Sequence, residues 1–218
     1  PASNQSGSAT ITLTVSDGTA SSTDTFVLTV DAVNDVPTIS DVANQATNED
    51  TATGELAVTL GDEETAVADL TLSASSSAQG LVPDANIVLG GSGASRTVTV
   101  TPASNQSGSA TITLTVSDGT ASSTDTFVLT VDAVNDVPTI SDVSSLSTNE
   151  DTATSALAVT LEDADANDLT LSASSSAQGL VPDANIVLGG SGTSRTVAVT
   201  PASNQSGSAT ITLTVSDG

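Results

Sequence analysis

The side chains that could do chemistry in this chain are almost all carboxylates. The 218 residues include 26 Asp and Glu against 2 Lys and Arg, with no His or Cys, and the formal net charge is -24. Ca²⁺ prefers carboxylate and carbonyl oxygens, whereas transition metals need thiolates or imidazoles. Nucleic acid needs Lys and Arg, and a membrane span needs an apolar run of about 18 residues, which is missing. We therefore expect Ca²⁺ as the ligand, no nucleic acid, and no membrane insertion.

These acidic residues recur because the sequence repeats itself. The string PASNQSGSATITLTVSDG begins at Pro1, Pro102 and Pro201, a period of about 100 residues. Solenoid repeats are much shorter, so each repeat is expected to be an independent domain. The two copies differ in length only where GDEETAVAD (61–69) is replaced by EDADAND (162–168). This predicts an acidic loop there, because a paired strand does not tolerate a change of length.

Strict alternation of apolar and polar residues predicts strands. Ile112, Leu114 and Val116 alternate with threonines, and the same pattern occurs in the other two copies of that string. Turn signals such as Asp118-Gly119 separate these segments, and no 3.6-residue period persists. The Gly-Gly-Ser-Gly at 90–93 is interpreted as a turn. About seven short strands in a repeat predict an all-β fold of tandem immunoglobulin/cadherin-like antiparallel β-sandwich domains.

The repeat pattern also predicts domain boundaries. Residues 37–132 are expected to form a complete β-sandwich repeat, and residues 138–218 one that lacks its last strand. Residues 1–32 would be the C-terminal strand pair of a truncated preceding repeat. Since an isolated hairpin is marginal in water, two hypotheses follow. Either the chain is a section of a longer ordered filament, or neighbouring copies supply the missing strands by β-augmentation.

The domain junctions carry a recognisable motif. The string LTVSDGTASSTDTFVLTVDAVNDVP (13–37 and 114–138) resembles the end of a cadherin repeat, with its A-x-D-x-G strand and D-x-N-D-N-x-P linker. Here the linker has an extra residue between Asp132 and Asn135, Val137 replaces the second linker Asn, and no L-D-R-E motif is present. VNDVPT and TPASNQSGSAT are similar to the cadherin-like repeats of giant bacterial surface adhesins. This resemblance implies secretion, calcium and attachment to a cell surface.

The same resemblance implies a set of calcium ligands. Glu49 would come from the preceding domain and Asp132, Asn135 and Asp136 from the linker. The following domain would supply Asp163, Asp165 and Asp217. The corresponding residues for the first junction are Asp31, Asn34, Asp35, Asp62, Glu64 and Asp118. Glu150 matches Glu49 in the second repeat. Such ions would fix the angle between domains and turn flexible beads into a rod.

Some of these residues have other interpretations. Asp163-x-Asp165-x-Asn167 resembles the start of an EF-hand loop but lacks its Gly and Glu. Asp, Asn and Pro in a linker are also common turn formers. The adjacent carboxylates Glu49 and Asp50 could serve hydrolysis, but no apolar or basic neighbours are apparent that would tune their pKa. We therefore expect no enzymatic activity.

Together these observations favour a passive structural extender, the stalk repeat of a secreted calcium-dependent adhesin or extracellular filament. Its expected partners are neighbouring repeats of the same chain and other copies, through strand exchange or filament formation. The alternative is a glycan- or self-binding adhesion module. Such a module needs an exposed aromatic or apolar patch, and Phe26 and Phe127 are the only aromatic residues. Arg96 and Arg195 are expected to pair with nearby acids.

Overall fold

Nearly all regular structure in this protein is β-strand. The computed structural model describes residues 1–165 and 168–218. In this part of the chain the helical segments are two single 3-10 turns, Asp84–Asn86 and Asp183–Asn185. The predicted all-β class is therefore confirmed.

The chain divides into two compact units, Pro1–Ala133 and Val134–Gly218. The strands of the first unit are β1 Gly7–Ser16, β2 Ser21–Val30, β3 Thr38–Ile39, β4 Gln45–Asn48, β5 Leu56–Gly61, β6 Thr71–Ser76, β7 Ile87–Ser92, β8 Ser95–Val100, β9 Gly108–Ser117 and β10 Ser122–Asp132. Those of the second unit are β11 Thr139–Ile140, β12 Leu157–Glu162, β13 Thr170–Ser175, β14 Ile186–Ser191, β15 Ser194–Val199 and β16 Ile211–Ser216.

In the first unit, strands β3 to β10 form a β-sandwich. One sheet has the order β3-β5-β8-β7 and the other β4-β10-β9-β6. All neighbours are antiparallel except β4 and β10, which pair in parallel over four residues. Small aliphatic side chains from both sheets meet in one core together with Phe127, which is 1% exposed. The alternation predicted for Ile112, Leu114 and Val116 is confirmed, because all three are 0% exposed.

Strands β1 and β2 form a separate two-stranded hairpin within the first unit. Their sequence is the same as that of β9 and β10, and Phe26 lies opposite Ile11 as Phe127 lies opposite Ile112. Their burial is very different, since Phe26 is 51% exposed. The same sequence therefore forms the same hairpin twice, but only β9 and β10 belong to a sandwich.

The second unit repeats most of this sandwich in its described residues. One sheet has the order β11-β12-β15-β14, and β13 pairs with β16. No described strand of this unit corresponds to β4 or β10. Its buried core is correspondingly small, comprising Val159, Leu161, Leu169 and Val197. The independent folding of 37–132 and 138–218 stays a prediction.

The turns follow the chemistry of their residues. Gly93 and Ala94 connect β7 to β8, and Gly93 has a φ of 58°. A two-residue hairpin turn needs such positive φ values, which glycine adopts without steric cost. The interpretation of 90–93 as a turn holds for Gly93, whereas Gly90, Gly91 and Ser92 belong to β7. A Cβ at Gly91 would lie 2.8 Å from the Arg96 Cα, so no side chain fits there.

Candidate functional site

The acidic loop after β5, and its copy after β12, are organised by an aspartate. Asp62 Oδ1 accepts hydrogen bonds from the backbone N–H groups of Glu64, at 3.0 Å, and Thr65, at 2.6 Å. In the second unit, Asp163 Oδ1 accepts a bond from the Asp165 N–H at 2.8 Å. Aspartate commonly closes turns in this way. These bonds hold the loop and leave the second carboxylate oxygen of each aspartate for another role.

The linker of the first unit lies against this loop and against the β9–β10 turn. Asn34 Nδ2 donates to Asp118 Oδ2 at 2.8 Å, and the Asp35 N–H donates to Glu64 Oε2 at 2.9 Å. Three segments far apart in sequence are thereby brought together. They are the linker, the loop after β5 and the Ser-Asp-Gly turn.

The second unit has the same arrangement. Asn135 Nδ2 donates to Asp217 Oδ2 at 2.7 Å, and the Asp136 N–H donates to Asp165 Oδ2 at 2.6 Å. Each contact has its counterpart in the first unit at the equivalent position. The loop sequences differ, DEE in the first unit and DAD in the second, yet the contacts are kept. The pattern is therefore a property of the repeat.

Asp118 is anchored by several hydrogen bonds. Its Oδ1 accepts bonds from the backbone N–H groups of Ala121 and Thr120, each at 2.6 Å. The Ala121 N–H, then the Asn34 side chain, then the Thr120 N–H lower the pKa of this carboxyl below its usual range. Asp118 is therefore held ionised near neutral pH, as a metal ligand must be.

Asp62 and Asp163 each keep one buried oxygen without a hydrogen-bond partner among the described residues. In both cases it is Oδ2, the oxygen that does not close the loop. A buried carboxylate oxygen without a partner carries a desolvation cost. A bound cation would remove that cost, and Ca²⁺ accepts six to eight oxygen ligands in irregular geometry. The donor set fits a hard cation in this respect.

Other features of the site differ from a preformed metal centre. Within residues 1–165 and 168–218, no group of three or more His, Cys, Asp or Glu side chains is arranged to hold a metal ion. The reason is visible in the contacts above, because Asp118, Glu64, Asp165 and Asp217 accept bonds from amide groups of the linker. A cation would have to replace some of these contacts. Asn167, in the EF-hand-like interpretation, lies outside the described residues.

The remaining predicted ligands lie elsewhere. Glu49 is buried at 5% exposure, and its N–H donates to the Asp132 carbonyl oxygen at 2.9 Å. These two residues therefore meet at the end of β10. Asp31 and Glu150 are exposed to solvent. The hydrogen bonds described for the linker clusters do not include any of these four residues.

Asp50, one of the two carboxylates in the hydrolytic interpretation, makes a structural contact. Asp50 has a positive φ of 56°, and its Oδ1 accepts a bond from the Asn105 N–H at 3.1 Å. Asp151 and Asn204 repeat this contact at 2.9 Å in the second unit. Asp50 thus fixes the loop before β9, a role that no sequence motif indicated.

The expectation for the two arginines is wrong. Arg96 donates to the backbone carbonyls of Gly93 at 2.9 Å and Leu70 at 3.4 Å. Arg195 likewise donates to Gly192 at 2.8 Å and Leu169 at 2.9 Å. Each arginine therefore joins the turn between two strands of one sheet to the residue just before β6 or β13, a strand of the other sheet. Carbonyl oxygens provide these partners, and their position in space cannot be read from sequence.

The family of this chain follows from its two copies of the sandwich. The family model described as "Bacterial Ig domain" matches residues 34–132 and again 135–218. This chain belongs to the bacterial Ig domain family. The prediction of tandem Ig-like repeats of a bacterial protein is thereby confirmed. The finer resemblance of these bacterial Ig domains to cadherin-like adhesin repeats stays a prediction.

Individual proteins of known structure are only distantly similar to this chain. No curated protein sequence matches this bacterial Ig chain. An endo-fucoidan hydrolase of glycoside hydrolase family 107 has a TM-score of 0.39 and 18% identity, covering 98% of this chain and 32% of the hydrolase. The chain thus spans about a third of that protein. Titin domains Z1Z2 in complex with telethonin have a TM-score of 0.37 and 11% identity, covering 83% of this chain and 95% of that one. Titin domain M7 has a TM-score of 0.37 and 15% identity, with coverages of 47% and 100%. Such low TM-scores carry no argument about function.

Membership of this family also bears on where the protein is found. Bacterial Ig-like domains are typically found on extracellular surface proteins. Among the residues that the structure describes, no helix has the length and apolar character to cross a membrane.

Proposed function

We propose that this chain is a calcium-binding structural extender of a secreted or surface-attached bacterial adhesin or filament. Its membership of the bacterial Ig family supports an extracellular structural or adhesive repeat. The near-identity of its repeats suits a spacer, in which the number of units sets the reach. The net charge of -24 gives the chain a strong attraction for cations. We propose no catalytic role.

The observation that carries the calcium proposal is the buried Oδ2 of Asp62 and of Asp163, each without a hydrogen-bond partner among the described residues. Both lie in a loop that the linker aspartate contacts through its backbone N–H, while the linker asparagine contacts the aspartate of the Ser-Asp-Gly segment. Ca²⁺ bound at this point would satisfy that oxygen and screen the repulsion between neighbouring carboxylates. The repetition of the arrangement in two copies supports a selected feature rather than an accident of one loop.

In the second unit the proposed ligands are Asn135 and Asp136 from the linker and Asp163, Asp165 and Asp217 from the loops. In the first unit they are Asn34, Asp35, Asp62, Glu64 and Asp118. An ion held in this way would tie each linker to the unit that follows it and so restrict its direction. The contribution of Glu49, Glu150, Asp31 and Asp132, implied by the cadherin resemblance, stays a prediction.

Calcium titration tests this proposal directly. We expect isothermal titration of the chelator-treated chain to show saturable binding of Ca²⁺ and thermal melts to shift upward with Ca²⁺. At a hundred times the dissociation constant, one site adds about 2.7 kcal/mol to the free energy of unfolding. Mg²⁺, which demands a stricter octahedral geometry, should bind more weakly.

A matched pair of variants locates the site. Asp163→Asn removes one charge from the proposed ligand set and should weaken calcium binding in the second unit at least about tenfold. Asp142→Asn removes the same charge from an exposed position of the same unit and should leave binding unchanged. Equal binding by the two variants, or a melting temperature that ignores both calcium and chelator, would refute the proposal.

A further inference from the structure

The loop between β8 and β9 carries a motif that the calcium proposal does not use. Residues 105–107 have the sequence Asn-Gln-Ser, and the same three residues recur at 4–6 and 204–206. Asn-x-Ser, with any residue except proline in the middle, is the acceptor sequence for N-linked sugars and belongs in a surface loop of a secreted protein. What the motif can do therefore depends on how the loop presents it.

The motif lies on the surface of the first sandwich. Asn105, Gln106 and Ser107 are all exposed, and they directly precede β9, which begins at Gly108. None of the three residues belongs to a strand. The equivalent residues 204–206 are exposed in the second unit as well. An enzyme can therefore reach the motif without opening the sandwich.

The backbone of this loop is fixed by contacts that leave the asparagine side chain out. The Asn105 N–H donates to Asp50 Oδ1 at 3.1 Å, and the Asn105 carbonyl oxygen accepts a bond from Gln106 Nε2 at 2.8 Å. Across the described ranges 1–165 and 168–218, no hydrogen bond involves the Asn105 carboxamide or the Ser107 hydroxyl. The two groups that define the acceptor are thus presented to solvent on an ordered loop.

Turn geometry explains only part of the motif. Asn105 has a φ of 54°, and asparagine adopts this left-handed region more readily than most residues, so the turn alone accounts for it. The turn does not require a serine two residues later. The first sandwich has three other asparagines, Asn44, Asn48 and Asn86, and none of them is followed by Ser or Thr at that spacing. The acceptor pattern in this sandwich is therefore confined to the exposed loop.

We propose that Asn105, with its copies Asn4 and Asn204, is an acceptor site for an N-linked sugar. Asn105 Nδ2 attacks C1 of a sugar that is activated as a nucleotide or polyprenyl diphosphate ester. The Nδ2–C1 bond forms and the bond from C1 to the phosphate oxygen breaks. The diphosphate leaves with the electron pair, and the Nδ2 proton passes to a base of the transferase. The transferase recognises Ser107 through its hydroxyl.

The proposed sugar site is remote from the candidate calcium site of the same unit. Asn105 precedes β9, whereas Asp118 follows it, and ten residues of antiparallel strand span about 30 Å. A sugar on Asn105 would therefore leave the acidic loop 61–69 open to cations. The inference is independent of the proposed calcium binding, and either one can fail alone.

The two arginines allow the site to be isolated on one fragment. Trypsin cuts after Lys and Arg, and Arg96 and Arg195 are the only such residues in the sequence. Residues 97–195 therefore form one fragment, in which Asn105 is the only asparagine of an Asn-x-Ser/Thr motif. The full chain is purified from the bacterium that makes it, denatured, digested and analysed by mass spectrometry. This fragment should be heavier by whole sugar residues, and fragmentation should place the added mass on Asn105.

Ser107→Ala and Ser109→Ala are matched variants for expression in the same bacterium. Each removes one exposed hydroxyl, and neither changes an asparagine or a residue with positive φ. Ser107→Ala should lose the sugar because the acceptor motif is broken, whereas Ser109→Ala should keep it. Ser107→Thr should also keep the sugar. These variants avoid Asn105→Gln, which would place glutamine at a φ of 54° and disturb the loop itself.

The added mass also distinguishes the two kinds of donor. A single sugar indicates a nucleotide donor, and a preassembled oligosaccharide indicates a polyprenyl donor; both outcomes support the site. An unmodified fragment overturns the inference. A sugar that survives in Ser107→Ala overturns it as well. So does a sugar that mild alkali removes, because alkaline elimination releases sugars from Ser and Thr but not from Asn.

Discussion

Phe127 and Phe26 provide a direct test of the sandwich, because the same residue stands in the same local sequence in two environments. Phe127 is 1% exposed in the core of the first unit, whereas Phe26 is 51% exposed in the hairpin. Replacing a buried phenylalanine by alanine costs about 3–5 kcal/mol through lost burial and the cavity left behind. The change Phe127→Ala should therefore remove much of the stability of a domain that has about 5–15 kcal/mol.

Phe26→Ala removes a side chain that is already half in water. The expected loss is below about 1 kcal/mol, since little apolar surface is returned to solvent. Intrinsic propensity, turn chemistry and neighbouring residues are identical at the two sites, so they cancel in the comparison. The difference between the two variants isolates the contribution of the sandwich core.

The assay is urea unfolding at low protein concentration, followed by amide NMR signals of the first unit, because the chain has no Trp or Tyr for fluorescence. With an m-value of about 1–3 kcal/mol per molar urea, Phe127→Ala should lower the midpoint by roughly 2 M. Phe26→Ala should leave it nearly unchanged. Equal midpoints for the two variants would show that β10 does not belong to the core and would refute the fold described above.

Two further predictions concern Arg96 and Asp118. Arg96→Gln should cost about 1–2 kcal/mol, because the carbonyls of Gly93 and Leu70 lose a charged donor. Arg96→Lys should lower the free energy of unfolding by nearly the same amount. If the Lys variant is as stable as wild type in urea unfolding, Arg96 is instead paired with acidic residues. Acidification should destabilise the first unit, because the pKa of Asp118 is lowered by the Ala121 N–H and then by Asn34. Its stabilising effect is complete above the pKa of the unfolded state, near 4, and is lost as the pH falls through the lower folded value. Asp118→Asn should flatten that part of a pH-dependent melting curve, and an unchanged slope would contradict this cause.

Much of the fold could be predicted from local patterns. The alternation of apolar and polar residues was enough to predict that Ile112, Leu114 and Val116 share one buried face of their strand. Strand β3, with two residues, is too short to show any period, and β4, with the sequence QATN, has no apolar alternation. Strand β4 exists because β10 offers it a backbone partner about 84 residues away, which is a tertiary effect.

The candidate site was predictable only in part. The linker residues Asn34 and Asp35 and the acid Asp118 were found through a motif resemblance, since no local rule joins residues so distant in sequence. The carbonyl partners of Arg96 were missed because the backbone of one loop meets the side chain of another strand only in the folded chain. Charge alone suggested a surface ion pair, which is usually weak.

The parallel pair of β4 and β10 has a mechanical consequence. Strand β4 lies near the start of the first sandwich and β10 at its end, and Asn48 pairs with Asp132. Tension applied through the two linkers would pull these strands along their axes in opposite directions. The four residue pairs between them would then be loaded in shear, so their hydrogen bonds would have to break together. In a hairpin such as β7 and β8, the hydrogen bonds would instead break one after another. The position of this pair would therefore let the unit resist tension along the proposed stalk.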